Sequence, residues 1–174
     1  ILLTGNYTNF FGKLFYKNKL KDFEKILNSL KNSFRDRLYI EIQRHNESQE
    51  KNFENYLLNT SKFLQLPLIA SQEIFYLKEE MYEAHDALTC IGEKNFVEDK
   101  NRFRYNNQHY FKSQDELEKL YSDIPEALEN NYNFHLRFNF KPKKSKPILP
   151  SIANEQSSSP EDELSKLAND GLED

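Results

Sequence analysis

The sequence predicts an α/β fold: about three parallel strands joined by crossover helices, followed by further helices and an extended linker. Two observations carry this. Short apolar runs at Ile1 to Thr4, Leu38 to Gln43 and Leu68 to Ala70 alternate with longer stretches of helical apolar spacing. Such alternation calls for parallel strands with right-handed connections, which makes an open sheet or a β/α barrel. A third observation sets the far end: Pro142, Pro147, Pro150 and the run Gln156 to Ser159 mark an extended linker before a last helix.

Taken in order, Ile1 to Thr4 is a strand entering a turn at Gly5-Asn6, and Phe10 to Phe15 is a short apolar helix. Leu20 to Phe34 carries apolar residues at 20, 23, 26, 27, 30 and 34, the stripe of a helix lying on a sheet. Leu38 to Gln43 alternates and is partly β-branched, so it is a strand ending at Arg44-His45-Asn46. Ser48 is the expected cap of the next helix, whose stripe is Phe53, Tyr56, Leu57, Thr60 and Leu64. Pro67 stops it and opens the third strand. That strand turns through Ser71-Gln72-Glu73 directly into a helical pattern reaching Gly92. Val97 to Asn107 is charged and aromatic without a period, hence a loop. Ser113 followed by Glu116 is a capping box, and Pro125 sits in the first turn of another helix running toward Phe138. Ser159-Pro160 starts the last helix, with Glu161, Asp162 and Glu163 at the positive end of its dipole.

Composition narrows the function. The 174 residues carry a formal charge of -4, so no global positive field draws the chain onto nucleic acid. The low apolar fraction of 37% predicts one main domain with extended appendages. The single cysteine, Cys90, excludes an intrachain disulfide and fits a reducing, cytoplasmic setting. There is neither a bilayer-length apolar run nor a signal-peptide pattern. Three strands do not close a barrel, and both ends read as cut within an element, so the expectation is an internal piece of a longer polypeptide that does not fold alone.

Functional groups of α/β sheets sit just past the carboxyl ends of strands, which directs attention to Glu73 and Phe75 after the third strand. Glu41, His45 and Glu73 all lie at strand ends and could converge on a divalent metal, although no His-x-His or Cys-x-x-Cys accompanies them. His85, with Met81, Leu88 and Ile91 at helical spacing, is expected as a packed helix histidine. His109 and His135 have no partner pattern, and Cys90 is expected to pack as a small hydrophobe. Lys141, Lys143, Lys144 and Lys146 could touch phosphates, while a charge run in a linker is more simply solvated. No nucleophile elbow, phosphate loop or dinucleotide fingerprint occurs.

Several stretches taken together resemble one family. Leu3 to Asn6, Tyr39 to His45, Pro67 to Leu77, Glu83 to Asp86 and Asp123 to Leu128 are similar, in order and spacing, to the alpha subunit of bacterial DNA polymerase III, the replicative polymerase. The resemblance implies that 1–140 is the later part of the PHP (polymerase and histidinol phosphatase) domain, a distorted seven-stranded β/α barrel, with its closing helices. It implies that 141–160 is a linker and 161–174 the start of the polymerase body. In metal-holding versions of that domain the third strand here would end in Asp, one residue, then His; those places are Glu73 and Phe75. The place after Thr4-Gly5, often cysteine in those versions, is Asn6. The resemblance therefore implies a non-catalytic scaffold with no cofactor of its own, in which Glu73 and His45 are the vestigial metal candidates. The alternative is a surviving metal-dependent phosphoesterase. For the whole protein it implies Mg²⁺-dependent DNA polymerisation, and as partners the rest of the alpha subunit, a proofreading exonuclease subunit, the sliding clamp, the clamp loader and DNA.

Overall fold

The structure is a computed structural model that describes residues 1–146 and 159–173. Its contacts divide the chain into two units, Ile1–Phe138 and Asn139–Asp174. The first unit is built on a sheet of three parallel strands, β1 (Leu2–Leu3), β2 (Leu38–Gln43) and β3 (Leu68–Ser71), in the order β1-β2-β3. The sheet is open and does not close into a barrel. Helices α1 (Phe10–Tyr16) and α2 (Leu20–Phe34) connect the first pair of strands, and α3 (Glu50–Leu64) connects the second.

One face of β2 makes the core. Leu38, Ile40 and Ile42 point into a cluster with Phe11, Phe23, Leu27, Phe53 and Leu57 from the three helices. Period-two alternation sends Tyr39 and Glu41 to the opposite face, which is where the polar chemistry begins. Gly12 is required by packing: a Cβ there would lie 1.9 Å from the Tyr7 carbonyl oxygen, so no larger residue lets α1 approach the preceding turn.

The third strand is flanked by α6 (Pro125–Phe134), which follows α5 (Gln114–Leu120). Two consecutive asparagines of α6 do the work of a further strand. Asn131 accepts from the Ala70 N–H (3.1 Å) and donates to the Ala70 carbonyl (2.6 Å), while Asn130 donates to the Leu68 carbonyl (2.7 Å). The exposed edge of β3 thereby has its backbone groups satisfied by side-chain amides. The capping box at α5 forms as predicted, with Ser113 and Glu116 exchanging hydrogen bonds, and Pro125 occupies the first turn of α6.

Two expectations are corrected. Ser48 does not cap α3; the Glu50 carboxylate turns back instead and accepts from the N–H groups of His45 (2.8 Å) and Glu47 (3.0 Å). A carboxylate in the first turn meets the positive end of the helix dipole, and here it holds the incoming chain of residues 45–47 against the helix start. The stretch after Glu73 does not enter a helix at once: α4 begins only at Tyr82 and runs to Glu93. Between them Tyr76 pairs in parallel with Tyr110, and Phe75 and Phe111 donate to the His109 and Tyr76 carbonyls (2.9 and 3.0 Å). Non-local backbone bonds here outweigh the local helical period. The buried face of α4 is also not the one the apolar spacing selects: Asp86 and Cys90 are buried, whereas Leu88 and Ile91 are exposed.

In the second unit the described residues are 139–146, exposed and without regular structure, and the last helix α7 (Pro160–Glu173). Ser159 accepts from the Asp162 N–H (3.1 Å) as its cap. The rest of the predicted linker, 147–158, lies outside the described residues.

Candidate functional site

The carboxyl ends of the three strands converge on a polar network centred on Glu41. Its buried carboxylate accepts from the Gly5 N–H (3.0 Å), from Gln43 Nε2 (3.0 Å) and from the Ser71 hydroxyl, while its own N–H donates to Thr4 Oγ1 (3.0 Å). Gly5 reaches this contact with φ +80°, a conformation that costs glycine little and other residues more. One carboxylate thus ties the turn after β1 to the last residues of β2 and β3. Asn6 is equally committed, donating to Gln43 Oε1 (3.0 Å) and accepting from the Thr8 N–H (3.1 Å) and hydroxyl (2.8 Å).

His45 lies a short step beyond the end of β2 and is almost fully buried. Its Nε2 accepts from the Glu73 backbone N–H (3.1 Å), which places the ring proton on Nδ1, facing Glu50 Oε1 at 3.1 Å. Both ring nitrogens are therefore occupied by protein partners. The Glu73 carboxylate, by contrast, is half exposed, and the cation-capable group nearest it is His109 Nδ1 at 3.9 Å. The two predicted site residues come together, but through the backbone of Glu73 and not through its carboxylate.

The group that composition and spacing missed is His109. Its ring lies flat on that of His45, with centroids 4.2 Å apart and planes within 6°, and its Nδ1 donates to the Glu73 carbonyl (3.2 Å). Burial, reinforced by the neighbouring His45 ring, holds its pKa down at about 4, so it is neutral at pH 7. Phe75 continues the pile on His109 (5.1 Å, 28°), and His85 stacks on the far side of Phe75 (5.1 Å, 9°). Four rings from four separate segments thus form one column: His45, His109, Phe75, His85. Tyr105 leans against Phe75, His85 and His109 from the side. His85 is packed, as expected of it, against the rings of Phe75, Tyr76 and Tyr105. His135 is exposed and takes no part.

Beside the column lies a cavity of about 510 Å³, lined among others by Tyr7, Lys13, Glu47, Glu73, Arg104 and Tyr105. Burial and the adjacent Glu50 push the Glu47 carboxyl up, and burial with Glu47 nearby pushes the Tyr7 hydroxyl up to about 12. Its roof, the loop 103–105, is pinned to α4 by Asp86, which takes Arg102 in a two-pronged ion pair (2.5 and 2.6 Å) and Arg104 at 3.2 Å. The Arg102 contact holds the Asp86 carboxyl below the usual carboxylate range. Cavity and network do not present a metal's donor set. Among the described residues no three His, Cys, Asp or Glu side chains are grouped to hold one ion, His45 has no free nitrogen, and Phe75 offers no donor.

No protein-family model matches the chain. Curated proteins do, along nearly its whole length. The DNA polymerase III subunit alpha of Caulobacter vibrioides is 34% identical over 172 residues, 99% of this chain. That of Rickettsia bellii is 34% identical over 161 residues, 92% of the chain, and that of Pseudomonas aeruginosa 32% over 151 residues, 86%. The chain is a homologue of one segment of DNA polymerase III subunit alpha. It spans 13–15% of the length of these alpha subunits. The match to the Caulobacter alpha subunit takes in the strands, the ring column and residues of both units, in agreement with the resemblance read from the stretches between Leu3 and Leu128. No described helix is long and apolar enough to cross a membrane.

Proposed function

We propose that this chain serves DNA replication as a segment of a replicative DNA polymerase alpha subunit, and that within it the segment is a non-catalytic scaffold. Near-complete coverage of the chain by alpha-subunit relatives supports the first part. The observation that carries the second is the state of His45: with Nδ1 toward Glu50 and Nε2 taken by the Glu73 amide, it has no lone pair for a metal or a proton-transfer role. Phe75, packed between His109 and His85, fills the place where a ligand would be needed.

In this reading the strand-end column supplies by packing and hydrogen bonding the cohesion that a metal cluster would otherwise give. Polymerisation uses acidic residues and Mg²⁺ elsewhere in the polypeptide. The whole protein works in the cytoplasm with DNA, the sliding clamp and the clamp loader, and this scaffold offers a docking face to the proofreading exonuclease subunit. Metal analysis of the purified full-length polypeptide tests the scaffold. The expected result is no zinc or manganese held by this segment. Stoichiometric metal lost on Glu73→Ala or His45→Ala, together with metal-dependent hydrolysis of a DNA 3′ end, would establish the phosphoesterase alternative.

A further inference from the structure

The chain as a whole is acidic, yet one stretch of it carries no acid at all. From Asn130 through Asn154 there is neither Asp nor Glu, in a sequence with 28 of them, and within that stretch stand Lys141, Lys143, Lys144 and Lys146. All four are exposed, and none makes an ion pair or hydrogen bond with another described residue. Lys141 and Lys146 each precede a proline, which biases both to extended backbone, and Pro142 has its own φ fixed. Repulsion among the four charges stretches the run further. At about 3.1 Å per residue, Lys141 and Lys146 stand about 15 Å apart. A row of that length does not converge on one small anion; it follows a polyanion. Beside it Phe140 is 83% exposed, an aromatic face next to the first cation.

We propose that Phe140 to Lys146 is a contact for single-stranded DNA in the intact polypeptide, with the four ammonium groups on backbone phosphates and the Phe140 ring against an unpaired base. The proposal rests on the reading of the chain as a segment of a replicative polymerase. Three features select this ligand. The cations of the run are all lysine, and a compact charge on a flexible stem suits the shifting phosphates of a strand held without regard to sequence. An acidic protein segment is better held by the two-pronged fork of arginine, which the run lacks. Phe140 adds a flat π face, which carboxylates cannot use and every base can. Finally, the chain carries a net charge of -4, so a strand of phosphates is drawn to it only where acids are missing.

The test combines Lys141→Gln, Lys143→Gln, Lys144→Gln and Lys146→Gln in the full-length polypeptide and reads its binding to a fluorescent oligothymidylate over a series of salt concentrations. Each phosphate contact removed from a single strand takes about 0.7 from the slope of log K against log salt, so the four together should take about 2.8 and weaken binding at least roughly tenfold at moderate salt. A change smaller than about 1.4, the worth of two contacts, would overturn the proposal. The control removes the same charge elsewhere: Lys17→Gln, Lys19→Gln, Lys21→Gln and Lys25→Gln, all exposed around the start of α2, should leave the slope as it was. An equal fall there would show a diffuse effect of net charge and overturn the proposal as well. Phe140→Ala should weaken single-strand binding by about fivefold or more without moving the slope, and unchanged affinity would overturn the base contact. Unchanged DNA binding together with lost hold on an acidic protein subunit would assign a protein contact instead. Primer extension by the natural polypeptide tests the polymerase reading separately, since a salt slope measures binding alone.

Discussion

The two ends of the sheet's environment are held by different forces. Under the face of β2 that carries Leu38, Ile40 and Ile42, the contacts with Phe23, Leu27, Phe53 and Leu57 are apolar and dense. At the strand ends, 103–111 is held to 73–76 by stacked rings and by hydrogen bonds to main chain, with titratable groups inside the column. Apolar packing is indifferent to pH and punishes lost volume. A ring and hydrogen-bond clasp tolerates small volume changes and is sensitive to protonation.

Three perturbations sharpen that contrast, beginning with the largest. Leu57→Ala removes buried volume shared by α3 and β2 and should cost about 3 kcal/mol, read as a lowered urea midpoint of the full-length polypeptide or as faster exchange of the β2 amides. A loss below about 1 kcal/mol would mean that this core is looser than its packing indicates. Next is acid. The pKa of His109 is lower folded than its ordinary 6.5, so as pH falls the unfolded chain takes up the proton first. Stability from this group is complete above about pH 6.5, declines to about pH 4 and is level below, by up to about 3 kcal/mol. His109→Phe keeps a ring in the column and should flatten that part of the urea midpoint against pH; an unchanged slope would remove His109 from the explanation. The smallest effect is at the edge of the first unit: Ser113→Ala breaks the capping box and should cost about 1 kcal/mol, seen as faster hydrogen exchange in α5 with β2 unaffected.

Much of the framework was legible in local sequence. The apolar period placed α2 at Leu20–Phe34 and the alternation placed β2 at Leu38–Gln43, because one-sided burial imposes those periods wherever a helix lies on a sheet. Ser113 with Glu116, and Pro125, marked helix starts through chemistry confined to four residues. The similarity of Pro67 to Leu77 to the alpha subunits was legible as well. His109 was not: its partner His45 is distant in sequence, and the loop between 93 and 113 has no period to announce a contact. The burial of Asp86 in α4 was not legible either, because Arg102 and Arg104 pair with it there, a charge pairing invisible to a count of apolar residues.

The sequence by itself determined the order of strands and helices, since hydrophobic period and end signals act within a few residues. It determined also that Phe75 offers no metal donor and that the chain resembles a polymerase alpha subunit. Only the tertiary structure decided that His45 has both nitrogens engaged, that four rings stack into one column and that α4 turns its apolar stripe outward. Those outcomes depend on which distant groups meet, and burial, ring stacking and hydrogen-bond saturation are properties of the assembled neighbours and not of any residue's type.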